Sequence, residues 1–164
     1  VIGIAGGPEK CARLIERYGF DTAIDYRGKS VDELTAAIAA EAPEGVNIIF
    51  ENVGSDILDA GLNNLAMHAR IGLCGLISEY NNAGEKTGAR NIWQLIVKRA
   101  SMTGLLVADY VPRFGEGITE MAGWLRSGQL VFDEHVDSGI ENALPAFLRL
   151  FSGSNDGKMI LQLA

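Results

Sequence analysis

Arg70–Asn82 reads RIGLCGLISEYNN, an apolar run from Ile71 to Leu76 carrying two glycines and a cysteine, then the polar cluster Ser78-Glu79-Tyr80-Asn81-Asn82. The first half reads as a buried parallel strand and the second as the mouth of a site. In open α/β sheets, ligands bind beyond the carboxyl ends of the strands. Tyr80 stands at that edge.

Upstream, the same alternation repeats. Val1–Ala5 predicts a short strand broken by Gly6-Gly7-Pro8, and Cys11, Leu14, Ile15 and Tyr18 share one helix face that Gly19 ends. Thr22–Tyr26 predicts a second strand, and Ser30 with Glu33 forms a capping-box pattern for a helix carrying Val31, Leu34 and Ile38. Val46–Phe50 is a third apolar strand closing on Glu51-Asn52-Val53-Gly54, before a helix with Ile57, Leu58, Gly61, Leu62 and Leu65 inward. Downstream, Asn91 is placed to cap a short helix with Ile92, Leu95 and Ile96, and Ser101–Val111 predicts another strand. A helix with Phe114, Ile118, Met121 and Leu125 inward ends at Gly128, and Trp93, Trp124 and Met121 fit helical core spacing. The tail predicts a strand at Leu130–Val136, a helix at Ile140–Phe151 and a strand at Lys158–Leu163. Strand–helix units recurring at about 20–30 residues predict an α/β fold with a parallel sheet and right-handed crossovers.

The bulk properties bound the function. The 164 residues are 48% hydrophobic and 21% charged, an ordinary globular composition. A net charge of −7 argues against nucleic acid or an anionic membrane as the main partner. No run reaches the length of a membrane-spanning helix. Two cysteines, Cys11 and Cys74, suit a reducing cytoplasm, and with only two histidines beside them in the composition no metal-ligand cluster is visible. His68 and His135 lack partners at catalytic spacing, and Cys74 reads as a buried small side chain within an apolar run. The chain opens inside a strand, which predicts a fragment of a longer polypeptide.

Three strand ends carry candidate chemistry. At the end of the first strand, glycines stand where NAD-preferring domains place a carboxylate for the ribose 2′-hydroxyl. Lys10, one helical turn in, and Tyr26-Arg27, at the end of the next strand, suit a phosphate; solvated surface charges at turns are the equally weighted alternative. Asn52 and Gly54 suit a ribose or amide, or merely a tight turn. Tyr80 offers a phenol proton to a developing oxyanion, although tyrosines at strand ends more often only pack. Asn155-Asp156-Gly157-Lys158 reads by default as a plain turn.

Taken in order and spacing, VIGIAGGPEK, AIDYR, FENVG, RIGLCGLISEYN and SNDGKMILQLA resemble the zinc-independent branch of the medium-chain dehydrogenase/reductases. That branch holds the prostaglandin reductases, the leukotriene B4 12-hydroxydehydrogenases and bacterial NADP-dependent alkenal/enone reductases, and the resemblance covers essentially the whole chain of 164 residues. It implies a Rossmann-type doubly wound parallel sheet that lacks its first strand, with residues 1–129 binding NADP(H) and 130–164 completing a catalytic domain. It places the adenosine 2′-phosphate on Gly7, Lys10 and Tyr26, the nicotinamide ribose near Asn52 and Val53, and the nicotinamide beside Cys74, Ile77 and Ser78. Tyr80 and Asn81 flank the reacting carbonyl, Leu105–Val107 meets the carboxamide, and Asn155 returns to the cofactor.

The implied reaction is hydride delivery from NADPH to the β-carbon of an α,β-unsaturated ketone or aldehyde, with the enolate oxygen held by Tyr80 and no metal. A quinone oxidoreductase of the same superfamily and a non-catalytic nucleotide-binding fragment are the alternatives. A homodimer paired through the Ser101–Val111 edge strand is expected. The Gly-rich fingerprint and a central strand are missing upstream of Val1, so the chain is not expected to fold alone as a monomer with cofactor bound. The tail from about Leu130 is expected to be exposed or misplaced.

Overall fold

Every strand pair in the computed structural model is parallel, and each pair is separated in sequence by at least one helix. The structure describes residues 1–80, 88–152 and 154–163. The chain divides by contacts into Val1–Pro112 and Arg113–Ala164. The 14-residue helix that precedes Gly128 therefore groups with the tail, whereas the sequence reading drew its boundary after that helix.

In the first unit, β1 (Ile2–Ala5) pairs with β2 (Thr22–Asp25), and β3 (Val46–Glu51), β4 (Leu65–Leu73) and β5 (Ser101–Gly104) form a second sheet in that order. The connecting helices are α1 (Pro8–Glu16), α2 (Val31–Glu41), α3 (Ser55–Asn63) and α4 (Gln94–Lys98). The predicted capping box of α2 is complete: Ser30 Oγ accepts from the Glu33 amide, and the Glu33 carboxylate accepts from the Ser30 amide.

Helix α3 carries apolar faces into two clusters. Leu58 and Leu62 pack with Leu65, Ala69 and Ile71 of β4. Ala60 packs with Ile24, Leu34 and Ile38, and Ile2, Ile4, Val46 and Ile57 close around them. The second cluster bridges the two sheets. Between them runs an open slot of about 260 Å³, whose lining includes Ile2 and Ile4 of β1 and Ile48 and Phe50 of β3. Among the described residues neither inner edge has a strand partner. Ile48 and Phe50 are 61% and 67% exposed, unusual for apolar residues of a parallel strand. The gap lies between the edge of β1 and the edge of β3.

In the second unit, β6 (Glu134–Ser138) and β7 (Lys158–Gln162) pair in parallel beside α6 (Ala143–Ser152), and α5 (Phe114–Ser127) ends at Gly128 in a left-handed cap.

Several expectations need correction. β4 begins at Leu65, six residues before Ile71, because its pairing with β3 slips between Val46↔Leu65 and Ile48↔Arg70 around His68, whose φ is 62°. The Ser101–Val111 strand ends at Gly104; the Asp109 amide turns back to the Leu106 carbonyl and Val107–Arg113 forms a 3₁₀ helix. Asn91 does not cap α4, since its side-chain amide donates to the Asp59 carbonyl instead. The α5 residues Phe114, Ile118, Met121 and Leu125, like Trp93 and Trp124, are exposed rather than core. Cys74 is also exposed, because β4 ends one residue before it. His135 does have partners: Arg149 Nη1 lies 2.9 Å from its Nε2, and the Asp137 carboxylate is 3.7 Å away.

Parallel strands point alternate amides to each side, so half the inner amides of β1 and β3 lack protection while β4 is bonded on both flanks. In the polypeptide limited to residues 1–164, hydrogen exchange should be fast at slot-facing amides of Ile2–Ala5 and Val46–Glu51 and slowest in β4. Equal protection of all three strands would mean the slot is closed in solution.

Candidate functional site

The carboxyl ends of β1 and β2 are joined by one side chain. Asp25 Oδ1 accepts from the Gly7 amide at 2.8 Å and from the Arg27 amide at 3.0 Å. Gly7 holds φ at 96°, a left-handed value that an L side chain would strain, and Pro8 then opens α1. The turn is crowded from above. A Cβ on Gly6 would meet Arg27 Nε at 3.0 Å and the Tyr26 hydroxyl at 3.1 Å, and one on Gly7 would meet Arg27 Nη1 at 3.3 Å. A guanidinium and a phenol thus converge on a bare backbone, with Lys10 in the first turn of α1. The two backbone amides, first Gly7 and then Arg27, hold the Asp25 carboxyl below its ordinary value, and Lys29 and Arg27 add to the effect.

Sequence reasoning missed Asp25 because it looked for a carboxylate only at the end of β1. The available signal was local: Asp two residues before Arg27 is an Asx-turn spacing that takes the i+2 amide.

A second cluster joins the ends of β3 and β4. Glu51, 3% exposed, accepts from the Val53 amide at 2.5 Å and the Gly54 amide at 2.8 Å through one oxygen. Gly54 has φ of 84°, and a Cβ there would meet Leu76 Cδ2 at 2.9 Å. The facing turn is laced to this one. The Cys74 and Gly75 amides donate to the Glu51 carbonyl, the Ile77 amide to the Asn52 carbonyl, and the Ser78 amide and hydroxyl both to the Val53 carbonyl. Tyr80 lies over it, its hydroxyl 3.3 Å from where a Gly75 Cβ would stand and 3.4 Å from the Leu76 amide, from which it accepts. Asn52, Val53, Cys74, Ile77, Ser78 and Tyr80 are therefore one surface.

The remaining candidates are placed differently. The Leu105 amide donates to the Leu73 carbonyl and its side chain covers Gly72, so Leu105 borders this surface; Val107 is exposed in the 3₁₀ helix. Asn155 belongs to the second unit, where its amide donates to the Gly157 carbonyl. Asn81 lies outside the described residues.

A third carboxylate escaped the sequence reading. Asp59, 1% exposed, accepts from the Arg90 and Asn91 amides at 2.8 and 3.1 Å and from Arg90 Nε at 2.6 Å. Asp59 first and Asp56 second raise the Arg90 pKa by hydrogen bonding. The result ties the start of the α4 segment to α3.

The family model described as zinc-binding dehydrogenase matches residues 1–123. YfmJ of Bacillus subtilis (strain 168), which carries the name NADP-dependent oxidoreductase, is 42% identical across 100% of this chain and 48% of its own length. An NADP(+)-dependent 2-alkenal reductase of Nicotiana tabacum is 39% identical across 100% of the chain and 47% of its own. The crystal structure of CurA in complex with NADPH from Vibrio vulnificus superposes with a TM-score of 0.89 at 41% identity, covering 100% of this chain and 49% of that one. The chain thus spans about half the length of the relatives it matches. It belongs to the zinc-binding dehydrogenase family.

The Asp25 turn carries a pH signature. A depressed carboxyl contributes stability above its unfolded pKa of about 3.9 and loses it as pH falls through the lower folded value. The Gly7 and Arg27 amide resonances should therefore titrate together, with a midpoint below about 3.9. Separate midpoints, or a shared one at or above that value, would break the assignment.

Proposed function

We propose that this chain is the cofactor-binding part of an NADPH-dependent reductase acting on the carbon–carbon double bond of α,β-unsaturated ketones and aldehydes. The observation that carries the reading is the turn at Gly6-Gly7, where a Cβ on Gly6 would stand 3.0 Å from Arg27 Nε and 3.1 Å from the Tyr26 hydroxyl, space that glycine leaves open. A cradle that any Cβ would fill, edged by a planar cation and a phenol, suits a phosphate ester on a ribose. The Gly7 amide is engaged by Asp25, so Gly7 contributes room rather than a donor, and Lys10, Tyr26 and Arg27 supply the donors.

NADPH, when bound, supplies the hydride. By the resemblance, the chain's own residues would orient it: Asn52 and Val53 at the ribose, Cys74, Ile77 and Ser78 along the nicotinamide half, Leu105–Val107 at the carboxamide, Asn155 as a further cofactor contact, and Asn81 beside Tyr80 at the reacting carbonyl. As a β-carbon gains hydride, negative charge grows on the conjugated carbonyl oxygen. Tyr80 accepts from the Leu76 amide, which leaves its own proton to donate to that oxygen. Protonation at the α-carbon then completes reduction.

The family's name implies zinc, but among the described residues no three His, Cys, Asp or Glu side chains come together to hold a metal. The proposed reaction uses no metal, as the resemblance to the zinc-independent branch implies. Among the described residues no helix is long and apolar enough to cross a membrane. The reading includes a cytoplasmic enzyme that is homodimeric through the edge strand beginning at Ser101; among the described residues β5, Ser101–Gly104, has β4 on one side only.

In the protein carrying these residues, an enone should lose its conjugated absorbance with NADPH. Loss with quinones alone would move the assignment to quinone reduction, and binding without turnover would reduce it to a nucleotide-binding module. Tyr80→Phe should lower kcat by about 10²-fold or more with little change in NADPH affinity; unchanged kcat would remove Tyr80 from the chemistry. A monomeric sedimentation mass would refute the dimer.

A further inference from the structure

We propose that Asp25 is a positioning residue that makes the site selective for a 2′-phosphorylated adenosine, by clasping the Gly7 and Arg27 amides so that Arg27 and Tyr26 stand over Gly6. The inference rests on the NADPH reading above, and it assigns a carboxylate the role of assisting an anion.

By charge alone, Asp25 belongs on the wrong side of such a site. It would repel a phosphate and attract a bare ribose diol, the arrangement that favours the non-phosphorylated cofactor. The geometry reverses that expectation. A single oxygen, Oδ1, takes both amides, one from the turn after β1 and one from the turn after β2. Those bonds fix the residue that bears the guanidinium against the glycines it overhangs. Around the carboxylate stand Lys29 and Arg27, both lowering its pKa, with Lys10 on α1 at the same edge. Its charge is already spent on two donors and offset by cations before a ligand arrives. Without the clasp, Arg27 is an exposed side chain on a loop, and it must be ordered at the moment of binding.

The charge account and the positioning account predict opposite signs. Calorimetric titration of NADPH, NADH and adenosine 2′,5′-bisphosphate separates them, using the protein that carries these residues and its Asp25→Ala and Asp25→Asn variants. Asp25→Ala should weaken NADPH and the bisphosphate about 10- to 30-fold and leave NADH within about twofold. Asp25→Asn keeps an oxygen for both amides and removes the charge, so it should bind NADPH as tightly as the parent or more tightly. Asp25→Ala binding NADPH at least as well as the parent, or losing both dinucleotides equally, overturns the proposal. So does Asp25→Asn falling with Asp25→Ala. A parent with no preference for NADPH over NADH overturns the cofactor reading itself, a result distinct from any of these. If the Ala variant fails to fold, Asp25→Glu decides: it keeps the charge and displaces the oxygen, so NADPH should weaken several-fold with NADH spared, and unchanged NADPH affinity overturns the proposal.

Discussion

Among the described residues, the inner edges of β1 and β3 face a slot rather than another strand, and the rest of the first unit is arranged around that slot. A peptide group without a partner costs about as much as a lost hydrogen bond once it is buried, so these edges are tolerated only because the slot is open to water. Helices α2 and α3 meet beneath the gap through Leu34, Ile38 and Ala60, so apolar packing joins what strand pairing does not. Ile48 and Phe50, two apart on one face of β3, line the same slot with that face uncovered among the described residues. Their side chains are built for an interior that the described residues do not complete.

The turns around the site share one device. Asp25, Glu51 and Asp59 each use a single carboxylate oxygen to take two backbone amides. A carboxylate oxygen has the lone pairs for this and a hydroxyl or amide competes less well, because charge strengthens each bond. Strand ends in a parallel sheet leave amides unsatisfied just where a ligand must approach. Satisfying them from within, with short acidic side chains, keeps the turn rigid and leaves the outer surface for the ligand. Most of the acidic groups that shape this site are therefore scaffold rather than contact.

The elements that were legible in the sequence were those governed by local rules. The capping box at Ser30 and Glu33, the left-handed cap at Gly128 and the apolar strands at β1, β2 and β3 need only neighbours in sequence. The family pattern was legible because its motifs occur in order along the whole chain. What stayed hidden depended on partners distant in sequence. Asp59 and Arg90 are thirty-one residues apart, and Asn91 leaves its expected capping role to follow that contact. The burial of Phe114, Ile118, Met121 and Trp124 failed for the converse reason: period alone states which face is apolar, never that something covers it. Ser101–Val111 was misread in length because an apolar run without alternation fits a strand and a tight helical turn equally well.

The slot also has a thermodynamic meaning for the two clusters. The Gly6-Gly7 turn belongs to the sheet on one side of it and the Asn52 and Tyr80 surface to the sheet on the other. Their separation is set by α2 and α3 from below and by whatever occupies the slot from between. A ligand long enough to touch both clusters favours one spacing, and a strand seated in the slot favours one as well. Where the two spacings coincide, linkage makes each an effector of the other, with equal factors in both directions. Dinucleotide and strand would then behave as cooperative ligands of the same pair of half-sheets.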